Sequence, residues 1–249
     1  MKISYLSLST LAAVCVSSGV FAAGSPLTVG AGALYVQSPY QGGKERYYPF
    51  PLVNYEDANF FVSGLQGGYF LWRNPQNQLS LIITSSGQEY DPKRTDSSAM
   101  KQLDKRHLTL MAGGQWQHIA DWGVMKTSLV GDVLDQSNGI VWNTNWHYPL
   151  MLDGISLNPG AGLSWNSSHQ TDYYYGVSSA ESRRSGISSY HAGDSWLPYV
   201  EISASYPLTK RWQLGVGGRY QWFGSEVKDS PMVAKSGQAM VWTGISYTF

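Results

Sequence analysis

The chain has 249 residues, carries no formal net charge, and only 14% of it is Asp, Glu, Lys or Arg. Soluble chains carry about a quarter charged residues, and nucleic-acid binders show a basic excess or stripe, so neither class fits and no nucleic-acid partner is expected. Aromatic residues also make up 14%, with 10 Trp, 17 Tyr and 27 Gly, a composition suited to short strands with one face in lipid and their ends among headgroups.

Residues 1–22 read as a cleaved secretory signal: Lys2 supplies the basic start, Leu6 to Val16 the short apolar stretch, and Val20-Phe21-Ala22 the cleavage site. The apolar run is shorter than the roughly 20 residues a membrane helix needs. The single cysteine, Cys15, lies inside this signal and follows Val14, where lipidation would require a small residue. Residues 23–249 thus have no thiol, disulfide or cysteine metal site.

Beyond residue 23 no apolar run is long enough for a spanning helix, and the hydrophobicity alternates with period two instead. This pattern predicts an all-β fold, a transmembrane antiparallel up-and-down barrel of about twelve strands: 27–36, 46–55, 59–63, 65–72, 78–86, 105–117, 122–132, 139–149, 154–166, 196–207, 211–223 and 238–249. The weak stretch is 59–72, where two strands would be shorter than the roughly 9–11 residues needed to span; ten strands is the alternative if 47–65 does not cross. In 105–117, Leu108, Leu110, Ala112 and Trp116 share one face. In 139–149, Ile140, Trp142, Trp146 and Tyr148 face away from Asn143, Asn145 and His147. In 154–166, Ile155, Leu157, Ala161, Leu163 and Trp165 alternate with polar or glycine positions. In 211–223, Trp212 and Trp222 stand at opposite ends of one apolar face, about 33 Å apart at roughly 3.3 Å per residue. With strand tilt, that spacing matches two aromatic girdles around an apolar band about 25 Å tall. The last strand alternates Val241, Thr243, Ile245 and Tyr247 and ends on Phe249. It resembles the signal read by the barrel-assembly machinery, an expected partner during insertion into outer-membrane lipid.

Short connections near 73–77, 118–121, 150–153 and 208–210 alternate with longer polar ones at 37–45, 86–104, 167–195 and 224–237. Short periplasmic turns and long external loops give this asymmetry, and both termini then lie in the periplasm.

Candidate sites follow from position. Lys126, Glu201 and Arg219 face inward, where they line a narrow aqueous channel or pair across a packed lumen, since an unpaired charge in a poorly hydrated interior is costly. Tyr173, Tyr174, Tyr175, Glu181, Arg183 and Arg184 lie in the longest external loop, which folds inward as a plug or outward as a contact surface. Asn74, Asp121, Asp153 and Lys210 mark the periplasmic turns. A hydrolase would need a nucleophile and base; His147, with Asn143 and Asn145 beside it and Ser156 or Ser164 on the next strand, is the nearest approach. Lumen positions are polar by default, so this constellation is weak. The histidines His107, His118, His147, His169 and His191 show no metal-ligand spacing. Asp132, Asp135 and Asn138 suit a calcium turn or, more simply, a turn held by local backbone hydrogen bonds. No metal or cofactor is expected.

Five stretches carry a resemblance: QLDKRHLTLMAG (Gln102 to Gly113), GDVLDQSNGIVW (Gly131 to Trp142), DYYYGVSSAESRRSG (Asp172 to Gly186), DSWLPYVEISASYPL (Asp194 to Leu208) and DSPMV (Asp229 to Val233). In these the chain resembles the MipA/OmpV family over nearly its whole length after the signal. The resemblance implies an outer-membrane location in a Gram-negative cell. It further implies a scaffold that joins a lytic murein transglycosylase to a murein synthase, and it brings no catalytic residues. A narrow channel for small solutes is the alternative, and a hydrolase ranks third.

Overall fold

A computed structural model describes residues 25–249; the expected signal at 1–22 lies outside the described residues. Thirteen strand segments form one sheet: β1 Ser25–Val36, β2 Arg46–Glu56, β3 Phe60–Ser63, β4 Gln66–Arg73, β5 Asn77–Ser85, β6 Leu110–Ala120, β7 Gly123–Asp132, β8 Ile140–His147, β9 Leu150–Leu152, β10 Ile155–Asn166, β11 Ser195–Pro207, β12 Trp212–Trp222 and β13 Gly237–Thr248. Every pairing is antiparallel, and the sheet closes because β13 pairs with β1 while β11 pairs with β10. Closure leaves no end strand of the kind an open sheet presents to lipid. Segments β8 and β9 share one register on β10, His147 opposite Gly160 and Leu150 opposite Leu157. Pro149 between them has no N–H to donate, so they form one wall strand, and the barrel has twelve strands.

Alternation sets the two faces. Leu79, Leu81, Ile83, Leu129, Val200, Ile202, Leu214, Val216, Val241 and Ile245 point outward and are exposed, an apolar belt with no covering layer of protein. Its lower edge carries Trp212, Tyr247 and Phe249, ring centroids 5.1 and 5.0 Å apart in succession. Trp142 and Trp196 meet edge to face at 5.8 Å at the ends of β8 and β11 nearest the long external loops.

Two local features differ from simple alternation. The strand expected from residue 105 starts at Leu110, because Arg106 turns into the loop layer, where it bridges Tyr90 and binds Glu181. The β3–β4 hairpin turns early, at Gly64 with φ 59, so β2 outruns it. Val53 O accepts from Gly64 N–H at 2.9 Å, and backbone groups alternate sides along a strand. Pro49 and Pro51 would therefore aim their N–H groups at the side of β2 beyond the hairpin, and neither has one. Proline at such positions suits an edge that must not recruit another strand.

Candidate functional site: a capped polar lumen

The external mouth is filled by helices α1 Ser168–Tyr175, α2 Ser179–Ser185 and α3 Ser225–Lys228, with 3-10 turns at Pro92–Arg94 and Met100–Gln102. Tyr40, Tyr90, Met100, Leu103, Tyr174, Tyr175, Val177, Phe223, Val227 and Met232 pack there as one buried cluster that reaches Leu197 on the wall. Burying each such side chain contributes about 1.5–3 kcal/mol. The phenols are satisfied inside it: Tyr90 Oη donates to Met100 O at 2.6 Å, Tyr174 Oη to His107 O at 2.9 Å, and Tyr40 Oη to Tyr174 O at 3.3 Å. Burial pushes the Tyr40, Tyr90, Tyr174 and Tyr175 phenols well above their usual range, so they stay neutral.

Two buried ion pairs clamp this cap. Arg106 Nη2 donates to Glu181 Oε1 at 2.8 Å. The same oxygen accepts from Asp104 N–H, and Glu181 Oε2 accepts from Ser178 N–H and Oγ, a capping box that starts α2. Burial raises the Glu181 pKa, but these N–H groups, the Ser178 hydroxyl and the Arg106 charge outweigh it and hold the carboxyl at about 2. The second pair ties the loop to the wall: Arg46 Nη1 donates to Glu89 Oε1 at 2.6 Å, and Tyr48 Oη donates to the same oxygen at 3.2 Å.

The loop residues singled out from sequence therefore divide. Tyr174, Tyr175 and Glu181 are buried in the cap. Tyr173 is half-buried and its hydroxyl accepts from His107 N–H at 2.8 Å. Arg184 lies on the surface, paired with Asp104 at 2.5 Å, and Arg183 is exposed with no ion pair among the described residues. The loop is a plug with an exposed basic edge.

Below the cap the lumen is polar. Glu201 and Arg219 stand opposite one another on β11 and β12, bound through Glu201 Oε2 at 2.8 Å from Nε and 2.5 Å from Nη2. Tyr199 lies flat under the guanidinium at 4.1 Å, a cation–π contact. His147 Nε2 lies 2.9 Å from Glu201 Oε1. Asn143 Nδ2 donates to Ser164 Oγ at 2.6 Å, and Tyr199 Oη donates to Asn143 Oδ1 at 3.1 Å. Lys126 is half-buried on β7, in register with Gln117 and Asn145, and makes no ion pair among the described residues.

This geometry does not assemble a hydrolase at His147. Gly160, without a side chain, faces it across the sheet, and Ser164 is four residues further along β10, engaged by Asn143. The Asp132 turn is likewise accounted for: its carboxylate accepts from the N–H groups of Leu134, Gln136, Ser137 and Asn138, the local arrangement expected of an Asx-type turn. Asp135 and Asn138 adopt the left-handed conformation within it.

Asn74, Asp121, Asp153 and Lys210 are all exposed on connections at the rim opposite the cap. Asn74 Oδ1 accepts from Gln76 and Asn77 N–H at 3.0 and 2.7 Å, which tightens its turn. Asp153, with φ 48, precedes Gly154, with φ 82, in a two-residue hairpin of the type that needs positive φ at both positions. Sequence reasoning missed Arg46, Glu89 and Arg106. Parity already places Arg46 inward with Tyr48, Phe50 and Leu52, so that one signal was available.

The family model for MltA-interacting protein MipA matches residues 29–249. MltA-interacting protein of Escherichia coli (strain K12) is 42% identical over 248 residues, 100% of this chain and 99% of that protein. Putative outer membrane protein YiaT of the same strain is 40% identical over 228 residues, 92% of this chain and 93% of its own length. Outer membrane protein OmpV of Vibrio cholerae is 29% identical over 194 residues, 78% and 74% of the two chains. Among solved structures, an outer membrane channel from Pseudomonas putida F1 covers 92% of this chain and 97% of its own, at 11% identity and a TM-score of 0.45. The protein is an outer-membrane β-barrel, and it belongs to the MipA family.

Proposed function

We propose that the chain is an outer-membrane scaffold that meets a lytic murein transglycosylase at the periplasmic rim and links it to a murein synthase. The observation that carries this reading is the full-length likeness to a protein whose name states interaction with MltA. The geometry supports it, because a filled external mouth leaves the turn tips around Asn74, Asp121, Asp153 and Lys210 as the surface a periplasmic enzyme meets. That surface is small, so contact would rest on a few residues, as binding energy commonly does. A tagged pull-down from gently solubilised envelopes tests it. Enrichment of a murein transglycosylase or synthase over an unrelated barrel of similar size supports the scaffold. Absence of both after crosslinking contradicts it.

The exposed terminal Phe249 supports recognition by the barrel-assembly machinery during insertion. A second reading, a narrow solute channel, draws on the polar lumen around Glu201 and Arg219. Single-channel recording separates the two: the scaffold reading expects a closed barrel at rest, the channel reading a steady conductance altered by Arg219→Ala.

A further inference from the structure

A chamber of about 160 Å³ lies between the cap and the Glu201–Arg219 pair. It has room for about five waters at roughly 30 Å³ each, the size of one pyranose ring. Its wall includes Gln88, Ser164, Asn166, Gln221, Gln238 and the indole of Trp242. Asn166 is only 3% exposed, points inward from β10, and its side-chain amide has no hydrogen-bond partner among the described residues. Gln221, on β12 beside the same space, is half-buried and equally unpartnered. Gln88 is engaged by Gln170 at 3.0 Å and by the Tyr175 hydroxyl, while Gln238 uses its N–H₂ on Gln37 O at 2.8 Å and keeps its oxygen. Amides that face open lumen without a protein partner are bonded by water or by a guest, so this cluster marks a place that can receive one.

The lining also states the guest's charge. Arg219 and Glu201 are its one cation and one anion, and they are bound to each other by two hydrogen bonds. The wall is therefore neutral. Amides present a donor and an acceptor side by side, the pairing that vicinal hydroxyls need, and an indole offers an apolar face to ring C–H groups. We propose that the chamber is a binding site for a single uncharged pyranose, held by Asn166 and Gln221 and packed on Trp242.

Titration calorimetry of the full folded barrel with glucose and N-acetylglucosamine tests this, with glucuronate and glucosamine as charged comparators. The expected result is saturable binding of a neutral sugar, weaker or absent binding of the charged ones, and about tenfold weakening for each hydrogen bond removed by Asn166→Leu or Gln221→Leu. Heat-modifiable gel migration reports whether each variant folds. If Asn166→Leu does not fold, the half-buried Gln221→Leu carries the comparison. No heat up to the solubility limit of either neutral sugar means a water-filled chamber and overturns the proposal. So does preferred binding of glucuronate, or unchanged affinity in a folded Gln221→Leu barrel.

Discussion

The cap and the chamber beneath it both bury polar side chains and partner them to different extents. In the cap, Arg106, Glu181, Arg46, Glu89 and the buried tyrosine hydroxyls are bound to one another and to backbone, with Arg106 Nε left over, and α2 opens on a reciprocal capping box. In the chamber, Asn166 and Gln221 keep amides with no partner beside open space. A densely paired polar network in a low-dielectric setting holds one arrangement. An unsaturated one is held only by the barrel around it. The first region is built to stay shut, and the second keeps bonding capacity in reserve.

The sharpest way to break that contrast is to remove one half of a buried pair in the cap. Arg106→Ala leaves the buried Glu181 with only the Arg184 guanidinium, 3.9 Å away at the surface, at a cost of about 3–5 kcal/mol. External protease added to intact cells should then cut within residues 86–109 or 167–194, while heat-modifiable migration of the barrel is unchanged. In the lumen the same operation should cost less, because the neighbouring chamber admits water to a stranded charge. Glu201→Ala is expected to lower stability by about 1–3 kcal/mol, read from urea unfolding in lipid vesicles, with no new external cleavage.

Acid sharpens the comparison further. The Glu181 carboxyl sits at about 2 in the folded cap against an ordinary 4.5. Its contribution is therefore complete above about pH 4.5 and is lost as pH falls toward 2, since a depressed folded-state pKa stabilises only while the group is ionised. Hydrogen exchange of residues 100–109 and 178–186 should accelerate across that window, and Glu181→Gln should flatten the response. Removing the capping box is smaller still: Ser178→Ala should cost about 1 kcal/mol and fray α2 in the same exchange experiment. Arg183→Ala, at an exposed position without an ion pair, should shift stability by no more than about 0.5 kcal/mol.

The wall was legible because lipid on one side and lumen on the other impose period two over every span, and because Trp and Tyr collect at both ends. Twelve strands follow from that pattern even where β3 and β4 are too short to span. Alternation misled at residues 105–109, where Leu108 continues the rhythm while Arg106 already serves the cap. Pro149 was read as the end of its strand and 150–153 as the connection; Leu150–Leu152 instead continue the pairing with β10, which leaves a turn of only Asp153 and Gly154. The lumen charges showed themselves by parity, and the Glu201–Arg219 pair is the cross-strand neighbour relation that parity permits. The cap was not legible in the same way. Arg106 and Glu181 are 75 positions apart and Arg46 and Glu89 are 43 apart, and no local period links such residues. For Tyr173 to Tyr175, a plug and a contact surface call for the same composition, so only packing distinguishes them.

The central claim is that the barrel is sealed outside and works at its periplasmic rim, and site-specific photo-crosslinking in living cells tests it most directly. A photoreactive residue placed at Asp153 or Lys210 should trap a lytic murein transglycosylase, and one placed at the exposed external Ser188 should trap none. Adducts from neither periplasmic position, or equal capture of the same enzyme from Ser188, would contradict the account.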